Sequence, residues 1–196
     1  MHSHVSTTHF GRRSLSLVHV ARQADARDRA PEKAVHKWQV FRAICEAKSL
    51  LAISERALSV LNALLSFHPE TVLTGEGLIV FPSNEQLSLR AHGMAPATLR
   101  RHLAALVDCG LIIRRDSPNG KRYARKGRAG EIKKAFGFDL APLVVRSEEF
   151  EALAEDVRAE ARALRLVREQ ITLCRRDISK MIATALEEGV SPSALR

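Results

Sequence analysis

The chain has 196 residues, 45% of them hydrophobic, and carries a formal net charge of +9. That length supports one core of ordinary size, or a domain plus a helical extension. A basic balance points to nucleic acid or an anionic surface. No apolar run approaches the roughly 18–20 residues that span a bilayer, so no membrane partner is expected.

Residues 1–31 are polar with little periodicity, and a flexible tail is expected. "MHSHVSTTHFGRR" lacks the apolar core of a secretory signal. His2, His4 and His9 belong to this tail and are read as a His-containing segment rather than a metal site. Cys45, Cys109 and Cys174 have no metal-ligand spacing and are odd in number. They are expected to be small buried hydrophobes in a reducing cytoplasm, with no cofactor and no metal.

From Lys33 to Leu51, Trp38, Phe41, Ile44 and Cys45 recur at helical spacing. A second helix is predicted from Ser54, a good cap, to Phe67, with Pro69 ending the pattern. "TGEG" is a turn, and Leu78–Phe81 a short strand closed by Pro82. Ser83 and Gln86 have capping-box spacing, opening a short helix over Asn84–Arg90. A further helix starts at Pro96, a favoured first position, and ends near Cys109 before Gly110. Two strands follow, Leu111–Arg115 and Lys121–Arg125. "DSPNG" joins them, and its Asn-Gly is a tight-turn signal. "AFGFDLAPLV" is expected to dock back through Phe136, Phe138 and Leu140.

A long helix is predicted from Ser147 to Glu188. Phe150, Val157, Leu164, Ile171, Ile178 and Ala185 repeat every seven residues. Leu153, Val167, Cys174 and Met181 hold most companion positions, and Glu160 breaks that row. The seam suits self-association, packing on the same domain, or a further partner domain.

The order helix, strand, short helix, turn, helix, strand, turn, strand is the plan of a winged helix-turn-helix. The expected fold is therefore mainly α with a small antiparallel β hairpin or sheet, followed by a long amphipathic helix. The domains fall at 32–145 and 146–190, with a tail at 191–196.

Charge distribution identifies the candidate site. From Leu87 to Lys134 there are twelve Lys or Arg and three acids, which is the whole net charge of the chain. Such concentration is the footprint of a phosphate-binding surface. The helix from Pro96 turns Leu99, Leu103 and Leu106 to the core. Its opposite face carries Ala97, Arg101, Ala104 and Asp108, with Thr98 and Arg100 on the two flanks. The alanines keep this face slim enough for a major groove, and the arginines supply forked donors. The amides near Pro96 add a phosphate site at the positive helix end. Arg114, Arg115, Asn119, Lys121, Arg122, Arg125 and Lys126 would form the wing.

At "FPSNEQLSLRAHGMAPATLRRHLAALVDCGLIIRRDSPNGKRYARKGRAGEI" the chain resembles the N-terminal region of the RepC replication initiator family of repABC-type plasmids and secondary replicons in Alphaproteobacteria. "FGRRSLSL", "KWQVFRAICEAKSLL", "ERALSVLNALLSFHPET" and "LCRRDISKMIATA" are similar to the same family in the same order. The resemblance implies specific binding to double-stranded DNA at a plasmid origin lying inside the initiator's own gene. It puts Thr98, Arg100 and Arg101 on the recognition helix, and host replication proteins among the partners. Family members continue into a second domain, so the end at Arg196 is expected to be a truncation.

Two rival readings remain. A dimeric winged-helix transcription regulator would use the same helix and wing. A nicking initiator would need Tyr123 as nucleophile and a metal cluster to polarise phosphate, and no such cluster accompanies that tyrosine. No Walker-type loop is present, and no aromatic platform for RNA bases is visible.

Overall fold

The computed structural model describes residues 33–75, 78–126 and 132–189; the side chains of Lys126, Ile132 and Lys133 are also outside the description. The expected N-terminal tail with its histidines, the glycine-rich segment 127–131 and the C-terminal tail lie outside the described residues.

The described residues open with a short strand, β1 (Val35–His36), then α1 (Lys37–Glu46) and α2 (Glu55–Ser66). Ser54 caps α2, its hydroxyl accepting from the Ala57 amide at 3.2 Å. α2 forms the centre of the core, with Val60, Leu61, Leu64 and Leu65 fully buried. β2 (Val72–Leu73) pairs antiparallel with β1. Sequence pattern does not predict this two-stranded sheet, because two residues are too few to show alternation.

β3 (Ile79–Val80), α3 (Asn84–Arg90) and α4 (Pro96–Asp108) follow, close to the predicted bounds. Next come β4 (Ile113–Arg115), β5 (Tyr123–Lys126) and β6 (Ile132–Asp139). The core-facing residues of β3, α3, α4 and β6 (Val80, Leu87, Leu99, Leu106 and Phe138) join the same apolar cluster.

The sheet corrects one expectation. The strands on either side of "DSPNG" do not pair with each other. Both pair antiparallel with β6: Ile113 opposite Asp139, Arg115 opposite Gly137, and Tyr123 opposite Phe136. β3 pairs with β6 as well, so the order is β3-β6-β4, with β5 also on β6. Residues 116–122 leave the ladder, and Lys121 and Arg122 are in no strand. The hairpin expected of a wing is therefore formed by β5 and β6 rather than by the strands flanking the turn. The turn itself forms as expected: the Gly120 amide donates to the Ser117 carbonyl at 3.0 Å, and Gly120 has φ +70°. A tight turn folds the chain locally but does not choose its strand partner. The apolar alternation of Phe136 and Phe138 wins that contest, because both are buried.

α5 (Ala141–Val145) leads into α6 (Ser147–Glu187), an unbroken helix of 41 residues. Phe150 and Ala154 of α6 are fully buried in the core cluster. The compact unit thus runs through Ala154, and residues from Glu155 on form a second unit. Along that second stretch the seam residues are exposed, Ile171 by 53% and Met181 by 71%.

Candidate nucleic-acid interface

α3 begins with a reciprocal cap. The Ser83 hydroxyl accepts from the Gln86 amide at 3.1 Å, and the Gln86 side-chain oxygen accepts from the Ser83 amide at 2.9 Å. It ends where His92 (φ 59°) and Gly93 (φ 68°) turn left-handed. The Ser88 hydroxyl donates across this turn to the Met94 carbonyl at 2.7 Å. Pro96 then starts α4, whose N-cap Ala95 makes no side-chain hydrogen bond.

Arg146 ties down the other end of α4. Its guanidinium donates to the carbonyls of Cys109 and Gly110 at 3.0 and 2.9 Å, satisfying groups just beyond the helix C-terminus. Arg90 joins α3 to α2 by stacking 3.7 Å over the Phe67 ring and donating to the Ser66 carbonyl and hydroxyl. Cations thus serve the fold at the C-terminal ends of both α3 and α4.

The inner face of α4 is Leu99, Leu103 and Leu106, all buried as expected. His102, beside this face, is buried too. Burial, then the charges of Arg101 and Arg56, pull its pKa below the usual imidazole range, so the ring is neutral at neutral pH. On the outer side Pro96, Ala97, Arg100 and Arg101 are exposed, with Thr98 and Ala104 half-buried. Neither Arg100 nor Arg101 forms an ion pair or hydrogen bond with a described residue. Two forked donors thus sit side by side on a slim face.

The expected wing cations divide into two groups. Arg114 donates to the Asp116 carboxylate at 2.7 Å. Arg115 donates twice to Asp139, at 2.8 and 2.6 Å, and the other Asp139 oxygen accepts from the Ala141 amide at 2.9 Å. Arg122 donates to the Pro82 carbonyl and to Asn84 Oδ1, both at 2.8 Å, and stacks 4.5 Å over the Phe138 ring. Burial and the neighbouring Arg114 both disfavour its charge. Asn119 Oδ1 accepts from the Ser117 hydroxyl and the Lys121 amide, so this side chain builds the turn. These four residues are engaged within the fold.

Among the described side chains, the outward-facing cations are Lys121 and Arg125, both exposed, together with Lys134, which closes the basic segment but is not among the predicted wing residues. Lys134 sits opposite Arg125 on β6. The signal for it was the run Lys134, Phe136, Phe138 at two-residue spacing, legible once that segment is recognised as a strand. Lys126 lies in β5 next to this pair.

Among the described residues, no group of three or more His, Cys, Asp or Glu is placed to hold a metal ion. No described helix is long and apolar enough to cross a membrane.

Residues 13–186 match the family described as Replication protein C N-terminal domain. A protein of Sinorhizobium fredii (strain NBRC 101917 / NGR234), named "Putative replication protein C", is 64% identical over 185 residues, which is 94% of this chain and 46% of that protein. A protein of the same name from Rhizobium rhizogenes is 58% identical over 184 residues, 93% of this chain and 45% of its own length. The chain thus spans just under half the length of these relatives. No solved structure matches it. The family match covers most of the chain, and the chain belongs to the replication protein C family through that family's N-terminal domain.

Proposed function

We propose that this chain binds double-stranded DNA sequence-specifically, as the origin-recognition part of a plasmid replication initiator. α4 enters the major groove, with Pro96, Ala97, Thr98, Arg100, Arg101 and Ala104 toward the bases and flanking phosphates. The β5–β6 wing and Lys121 contact the backbone. The observation that carries this reading is the outer face of α4, where Arg100 and Arg101 are exposed together and take no part in holding the fold. Crowded like charge of this kind is relieved by a polyanion. The relatives' name, replication protein C, supports an origin as the target.

The test is a footprint on DNA carrying the initiator's own gene, at two salt concentrations. One directional protected site is expected. A symmetric pair of half-sites in a promoter would favour a transcription regulator instead. Arg101→Ala should cost about 1–3 kcal/mol on the specific site and relax discrimination at one base pair, as for loss of a bidentate base contact. Equal loss on specific and random duplexes would make Arg101 a phosphate contact. No catalytic step is proposed: supercoiled origin plasmid incubated with Mg²⁺ or Mn²⁺ should stay supercoiled. A relaxed product that disappears with Tyr123→Phe would reverse that reading.

The exposed seam of α6 supports self-association as part of this function. Leu164, Val167, Ile171, Ile178 and Met181 are each about half exposed or more. Such a run of apolar side chains on one helix marks a contact surface. Ile171→Asp with Ile178→Asp should shift the sedimenting species to monomer and leave the unfolding midpoint of the compact unit unchanged. A wild-type chain that sediments as a monomer at high concentration would remove this role.

A further inference from the structure

The β5–β6 hairpin holds an arrangement that a folded protein does not favour on its own. Arg125 and Lys134 are direct cross-strand partners, and both are exposed. Like charges directly opposite each other on a sheet destabilise the pairing. No acid relieves them on these strands. β5 has none, and the acid in β6, Asp139, lies at its far end and is bound by Arg115.

The pair is nevertheless held in place. Tyr123 and Phe136 are also cross-strand partners, with ring centroids 5.2 Å apart. Arg125 lies 5.9 Å over the Tyr123 ring and Lys134 lies 5.2 Å over the Phe136 ring. Period-two alternation puts Phe138, Phe136 and Lys134 on one face of β6. Phe138 packs in the core, Phe136 is buried, and Lys134 is exposed. The core-facing side of the strand therefore changes from apolar to cationic along its length. Each aromatic ring lies beneath a cation, and the two cations belong to one cross-strand register pair.

We propose that Arg125 and Lys134 form a two-cation clamp for a single backbone phosphate of double-stranded DNA. This rests on the DNA-binding reading above and adds a defined site to it. A forked guanidinium and a point-charge ammonium on adjacent strands match the two free oxygens of a phosphodiester. The rings beneath them restrict their rotamers before binding. The anion converts a repulsive pair into a bridged one, so the clamp contributes to binding any sequence.

The test compares the full chain with its Lys134→Glu, Arg125→Glu and Lys134→Ala variants. Affinity for a short random-sequence DNA duplex is measured across a salt series, and thermal unfolding is measured without DNA. Lys134→Glu and Arg125→Glu should each weaken binding by roughly tenfold and make the salt dependence shallower by about one ion. Lys134→Glu should also raise the melting temperature, because a carboxylate would then stand opposite the Arg125 guanidinium. Lys134→Ala should give the same two signs with smaller size. A melting temperature that falls in both Lys134 variants would overturn the repulsive pair. Unchanged affinity and salt slope, while joint loss of Arg100 and Arg101 weakens binding, would overturn the clamp alone. A wild-type chain that binds neither a random duplex nor its gene would overturn the DNA-binding reading and the clamp with it.

Discussion

Gly137→Ala should destabilise the domain by about 3 kcal/mol or more, measured as a lowered midpoint of denaturant unfolding. An alanine methyl at this position would overlap the Val80 carbonyl oxygen. It would also lie 3.0 Å from the Val80 carbonyl carbon and 3.1 Å from Phe81 Cα. All three are backbone atoms, so no side-chain rotation makes room. The adjacent register pairs are Val80 with Phe138 and Arg115 with Gly137, which places the overlap in the middle of the sheet. β3 would have to separate from β6, and the wing would lose the support of the strand it grows from. Loss of hydrogen-exchange protection should therefore begin at Val80. A variant within about 0.5 kcal/mol of wild type would show that the β3–β6 junction yields easily.

Asp139→Ala should cost about 3 kcal/mol, for a different reason. The carboxylate is almost wholly buried and accepts twice from Arg115 and once from the Ala141 amide. Truncation leaves a cation and an amide without their acceptor, and that penalty dominates when one partner of a buried pair is removed. The Arg115 side chain is 30% exposed. Water can rehydrate part of it, so the low end of the range for buried pairs applies. Asp139→Asn keeps a neutral acceptor for Ala141 and should cost less than Asp139→Ala. Equal losses in the two variants would place the whole effect on the charge. DNA binding adds a second readout. Arg115 is held by Asp139 in the folded chain, so Arg115→Ala should lower stability more than it changes the salt slope.

These predictions separate two kinds of arginine that look alike in the sequence. Arg100-Arg101 and Arg114-Arg115 are both basic doublets. The first lies on a helix whose opposite side is Leu99, Leu103 and Leu106, so its outward direction follows from helical periodicity alone. The second alternates across a strand, and its partners come from 24 residues away in one case, Arg115 to Asp139, and from two residues away in the other, Arg114 to Asp116. Arg122 reaches back 40 residues to Pro82. No local pattern announces a contact of that span.

Local order was legible because local interactions dictate it. Ser83 with Gln86, Pro96, Gly110 and the seven-residue repeat of α6 each act within a few residues of themselves. They determined the helices, their ends and the face of α4 that points away from the core. Charge counting likewise located the candidate surface between Leu87 and Lys134, because net charge does not depend on the fold. Which strands pair, and which cations remain available to a ligand, depended on contacts between distant segments. β6 became the shared partner of β3, β4 and β5 because its alternating Phe136 and Phe138 are buried, whereas the Asn-Gly turn only reverses the chain. That choice put Arg115 and Arg122 into the protein's own structure and set Lys134 beside Arg125. A sequence lists charges, whereas only the packed chain decides which of them are already neutralised.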